Sequence, residues 1–113
     1  SGESVLATLS ERAQLLGKIS DVASQNQIRV QSLTPKTETE GGYVRLKIDM
    51  DGQSNFLQLL KFLKSVEKIG AGIKVSDITM LWQPSSNPKD RRYPLQVQII
   101  FETFLKQRVK KNV

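Results

Sequence analysis

The sequence predicts an α+β sandwich, a four-stranded antiparallel sheet with two helices on one face, and three observations predict it. Two segments carry apolar residues at helical spacing, Glu3 to Asn26 and the run after Asn55. Four other segments alternate apolar with polar residues. The order helix, strand, strand then occurs twice, a pseudo-repeat of about 50 residues. Two amphipathic helices can cover only one face of such a sheet. Hairpin pairing within each strand couple and right-handed crossovers lead to a ferredoxin-like sandwich in circularly permuted form, αββαββ. The second and fourth strands are then central, and the first and third are edges.

Each element has its own signal. From Glu3 to Asn26 helix formers dominate and Gly17 is the main breaker. Leu6, Leu9, Ala13 and Leu16 follow a 3-4-3 spacing that Ala23 resumes after Ser20, a short heptad seam, and Val5, Ile19 and Val22 widen the stripe. This helix therefore has both a sheet to pack on and a candidate dimer interface at Leu6, Leu9, Ala13 and Leu16. Ile28 to Leu33 reads as a short strand stopped by Thr34-Pro35, with a polar loop from Lys36 to Gly42. Tyr43 to Asp51 alternates strictly, with Val44, Leu46, Ile48 and Met50 on the face expected to be buried, and Asp51-Gly52 is read as its end.

Ser54 or Asn55 can cap a second helix whose apolar positions are Phe56, Leu57, Leu59, Leu60, Phe62, Leu63, Val66 and Ile69. Gly70-Ala71-Gly72 stops it. Ile73 to Gln83 is a strand whose alternation slips near Ser76-Asp77, which a bulge accounts for. Pro84 to Pro94 is a long hairpin loop carrying Lys89, Arg91 and Arg92. The last strand, Leu95 to Leu105, turns Leu95, Val97, Ile99, Phe101 and Thr103 inward. Lys106 to Val113 is a basic tail. Residues 3–105 thus form one domain, and Ser1-Gly2 reads as a cloning remnant ahead of an excised piece of a longer protein.

Composition narrows the function. With no His and no Cys, the commonest general base, the cysteine nucleophile and the usual zinc ligands are missing, so no enzyme, metal or cofactor is expected. The net charge of +6 is uneven: residues 1–88 carry a net +1, while residues 89–113 carry a net +5. Such a local cluster fits a solubilising tail as well as a binding patch. No stretch approaches the roughly 18 consecutive apolar residues of a membrane span.

The uncovered sheet face is the second candidate partner surface. It is expected to carry Tyr43, Arg45, Lys47, Trp82, Ile100 and Phe104, an apolar patch ringed by polar groups. The candidate basic loop of Lys89, Arg91 and Arg92 is the third.

The segments LLGKISDVASQNQIRVQSLTP, YVRLKIDMDG, SNFLQLLKFLKSVEK and IKVSDITM, in that order, resemble the periplasmic domains of PilO-like proteins, inner-membrane alignment components of type IV pilus machines. The family is related to GspM of type II secretion. The resemblance runs from about Leu15 to Leu105 and rests on apolar positions, Gly52 and the Phe62-Leu63 pair, with no catalytic signature. It implies a periplasmic domain of a protein anchored in the inner membrane by one helix followed by a coiled coil, of which Leu6 to Leu16 would be the last part. It also implies a scaffold that homodimerises, pairs with a PilN-like domain of the same fold and meets a PilP-like lipoprotein.

The residues leave two other classes to compare with this one. A single-stranded nucleic-acid-binding ferredoxin-like module could stack bases on Tyr43, Trp82 and Phe104 and hold phosphates with Arg45 and Lys47. The ribonucleoprotein signature is absent and the element order is permuted, so no nucleic acid is expected. An enzyme would rest on Asp49, Asp51 and Asp77, without further ligands or a phosphate-binding loop.

Overall fold

The computed structural model describes the backbone of residues 2–70 and 72–106, and the side chains of 9–39, 41–70 and 72–105. The elements are α1 (Gly2–Gln25), β1 (Arg29–Glu40), β2 (Tyr43–Ser54), α2 (Phe56–Glu67), β3 (Lys74–Trp82) and β4 (Leu95–Lys106). The four strands form one antiparallel sheet in the order β1-β2-β4-β3, so β2 and β4 are central as the sequence predicts. Lys106, expected in the tail, closes β4, and residues 107–113 lie outside the described residues.

One core joins the helices to one face of the sheet. Leu15, Ile19 and Ala23 of α1, with Leu59, Phe62 and Val66 of α2, are buried against Leu46, Ile48, Met50, Val97, Ile99 and Phe101. Phe62 and Phe101 meet edge to face, with ring centroids 6.1 Å apart, a geometry worth about 1 kcal/mol beyond the area it buries. The buried stripe of α1 is therefore Leu15, Ile19 and Ala23, not the heptad seam. Leu9 and Ala13 are exposed, Leu16 is half-buried against the core, and the Leu6 side chain lies outside the described ones. Leu9 and Ala13 thus lie N-terminal to the buried stripe on α1, and the chain measures 64 × 21 × 21 Å.

The helix ends have local causes. The Asn55 side chain accepts from the Gln58 N–H at 2.8 Å, capping α2 and contributing about 1 kcal/mol. At the end of α1 the Ile28 N–H reaches back to the Ala23 carbonyl at 2.9 Å, while Gln27 takes a left-handed φ of 59°.

Two further strand ends run past the sequence reading, and one bulge falls where it is expected. β1 continues through Pro35 to Glu40, because an edge strand pairs on one side only and can hold a residue without an N–H. β2 continues through Gly52 to Ser54. Gly52 is there because β1 begins so close by: a Cβ on it would stand 2.9 Å from the Arg29 carbonyl oxygen. In β3 the register slips between Val75 and Asp77, at the Ser76-Asp77 bulge that the sequence points to.

Candidate functional site

The sheet face turned away from the helices is built by alternate residues of the two central strands. Because β2 buries every even residue from Val44 to Ser54, its odd residues emerge on the other side. In register they lie beside β4: Arg45 opposite Phe104, Lys47 opposite Glu102, Asp49 opposite Ile100 and Asp51 opposite Gln98. Tyr43 and Phe104 sit diagonally at one end, both 55% exposed, with ring centroids 6.4 Å apart and planes at 78°. They line a shallow depression whose exposed surface is apolar. Ile100, half-buried, lies further along the same face.

Beyond the aromatic pair the face is polar and its groups satisfy one another. Glu102 is only 8% exposed and is bound by the Arg45 guanidinium, with Lys47 Nζ 3.9 Å away. Burial pushes the Glu102 carboxyl upward, but the hydrogen bond and charge of Arg45, the Ser76 hydroxyl and the charge of Lys47 outweigh it, so its pKa lies below the usual carboxylate value. Asp49 accepts both its oxygens' bonds from the Gln98 amide at 3.1 Å, and Asp51 accepts from the Ser32 hydroxyl at 3.0 Å. These carboxylates are thus held as hydrogen-bonded strand groups, and among the described residues no His, Cys, Asp and Glu cluster could hold a metal.

Trp82 is not on this face, contrary to the sequence reading. It pairs with Leu95, as Met80 does with Val97 and Ile78 with Ile99, and those partners all point toward the helices. The extra residue at the bulge returns the second half of β3 to the helix side. Its ring is nevertheless 65% exposed, because the helices do not reach this edge.

The basic loop is fixed by a residue that the sequence did not single out. Arg29 donates to Asp90 at 2.7 Å, to the Gln53 side chain at 3.2 Å and to the Lys89 carbonyl at 3.2 Å, and its guanidinium lies 4.0 Å from the Tyr93 ring centroid. Asn55 also donates to the Arg92 carbonyl at 3.4 Å. The loop is thereby tied to β1 and the start of α2, with Lys89, Arg91 and Arg92 left exposed. An Asp-Arg-Arg-Tyr run is a weak signal alone, since Arg29 lies 61 residues from Asp90.

The three sequence-derived sites are therefore separate. The heptad seam is on the N-terminal half of α1, the aromatic pair is on the open face where β2 starts and β4 ends, and the cationic loop is at the opposite end of the sheet. No helix among the described residues is long and apolar enough to cross a membrane.

Comparison with known proteins agrees with this architecture. The model of the type IVa pilus alignment subcomplex PilO C-terminal domain matches residues 11–107. The crystal structure of the type 4 fimbrial biogenesis protein PilO from Pseudomonas aeruginosa is similar in fold, with a TM-score of 0.71 at 16% identity, over 86% of this chain and 70% of that one. No curated protein sequence matches the chain.

Proposed function

This chain belongs to the family of type IVa pilus alignment subcomplex PilO C-terminal domains, and from that premise we propose a non-catalytic scaffold domain that works by pairing with domains of its own fold. The match over residues 11–107 carries this reading. The parent protein is anchored in the inner membrane and places the domain in the periplasm. The heptad seam of Leu6, Leu9, Ala13 and Leu16 serves homodimerisation. The exposed Tyr43 and Phe104, with Arg45, Lys47 and Ile100 beside them, serve a PilN-like partner, and a PilP-like lipoprotein joins that pair.

The physical argument is one of small, similar contacts. An exposed aromatic pair with a satisfied polar surround can gain apolar burial on docking without stranding a charge. Exchanging one like-folded partner for another gives up and gains contacts of the same kind. Dimers of about micromolar affinity, about 8 kcal/mol, follow from such limited surfaces.

Sedimentation velocity over an about hundredfold concentration range, alone and with a PilN-like domain, tests this. Reversible dimers that give way to a mixed species are expected. A monomer at every concentration that ignores the PilN-like domain would overturn it.

A further inference from the structure

We propose that the free edge of β3, with the apolar shelf between it and α2, is a strand-addition site for an extended segment of another protein, apolar at alternate positions and acidic at its ends. This site is separate from the dimer faces proposed above.

Hydrogen-bond phase shows which backbone groups of β3 are free. β3 pairs with β4 alone. The Gln83 N–H donates to the Pro94 carbonyl at 2.7 Å, so residues two and four before it, Leu81 and Thr79, also turn their backbone groups toward β4. Those of Ile78, Met80 and Trp82 turn outward. The same three residues carry their side chains on the helix side of the sheet, where Met80 is 50% and Trp82 65% exposed. A strand added there would pair with these groups and lay every second side chain on that row.

The wall of the shelf is α2. The Asn26 amide lies 3.4 Å from the Ser65 hydroxyl, so the Ser65 flank of α2 faces α1. At about 100° per residue, Phe56 lies on the opposite flank and Leu60 close to it. Phe56 is 58% exposed, and Leu60 is exposed too. Apolar residues on this flank and on the β3 row are left partly uncovered, from 36% at Ile78 to 65% at Trp82.

The two sheet edges carry their protection in different places. β1 carries Pro35, Lys36 and Glu38 through its second half, whereas β3 confines Lys74, Asp77 and its bulge to its first half and leaves Ile78 to Trp82 with neither charge nor proline. At 3.3 Å per residue this run offers a landing of about 17 Å, a five-residue strand.

Charge selects the occupant. From Phe56 to Pro94, the elements around the shelf hold seven Lys and Arg and three Asp and Glu, one of which, Asp90, is paired with Arg29. A second copy would bring the same positive charge to the contact. An acidic segment would instead be drawn to Lys64, one helical turn from Leu60, and to Arg92, whose carbonyl Asn55 binds at the start of α2.

Trp82, the only tryptophan of the chain, reports binding directly. The probe is a synthetic peptide with valines at alternate positions and paired acidic residues at both ends, titrated against the whole chain. A saturable blue shift of Trp82 emission is expected, weakened about tenfold or more when the ends are lysines and lost when the pairing backbone nitrogens are N-methylated. Met80→Lys should also weaken it about tenfold, and so should Leu60→Lys on the other wall, with the circular dichroism unchanged. Absence of saturation, equal binding of the lysine-ended or N-methylated peptide, or a concentration-dependent blue shift without peptide would each overturn the proposal, the last by making a second copy the occupant.

Discussion

Arg45 on β2 holds Glu102 on β4 from a diagonal position across the two central strands, and Glu102 is nearly sealed from solvent. The folded state therefore stabilises the ionised carboxylate more than the unfolded chain does. A depressed pKa contributes stability that is present above the unfolded value, 4.5, and is lost as the pH falls through the lower folded value. Urea midpoints of the wild type and Glu102→Gln, measured from about pH 7 to about pH 2, should converge at the acid end. Parallel curves would mean that Glu102 contributes no proton linkage.

Gly52→Ala places a methyl 2.9 Å from the Arg29 carbonyl oxygen, backbone against backbone, where no rotamer change relieves it. The expected loss is about 1–3 kcal/mol, read as a lower urea midpoint with an unchanged slope. Strand β1 would have to shift at its start, and with it the Arg29 contacts that hold the basic loop. A neutral substitution would show that the two strands can separate there freely.

Gln27 sits at a φ of 59° just past the end of α1, without glycine's freedom to do so. Gln27→Gly should raise stability by about 0.5–1 kcal/mol, since the left-handed strain outweighs the added freedom of the unfolded chain. The Ile28-to-Ala23 backbone bond that closes the helix remains in the variant. Thermal unfolding checks the sign.

Leu9→Glu separates association from folding. Leu9 is exposed, so unfolding should change by less than about 0.5 kcal/mol, while self-association in sedimentation should weaken about tenfold or more. Leu16 is less informative, because it also packs against the core. An unchanged dimer would remove the seam as the contact.

Single-stranded oligonucleotide should not bind the open face. Glu102 neutralises Arg45 and lies near Lys47, leaving little free positive charge beside Tyr43 and Phe104. A labelled oligonucleotide titrated at low salt should show no saturable binding that Tyr43→Ala abolishes.

Much of this molecule was legible before folding. Strict alternation fixes a face locally, so the inward row of β2, Val44, Leu46, Ile48 and Met50, is buried as its pattern requires. The Asn55 cap and the order of helices and strands are likewise local, because they depend on neighbours within a few residues. The same holds for the bulge in β3, visible as a broken alternation at Ser76-Asp77.

What the linear chain determined, then, was where each element lies and which side of a regular strand is apolar. Tertiary structure decided which neighbours those sides meet. It sent Trp82 to the helix side through one extra residue, let β1 run through Pro35 as an edge, and chose Leu15, Ile19 and Ala23 over the heptad seam as the buried stripe. It also brought Arg29 to Asp90 and Tyr93 and Arg45 to Glu102. Periodicity reports how a side chain is turned relative to its own backbone; burial and charge pairing depend on distances between segments that only the packed sheet and helices set.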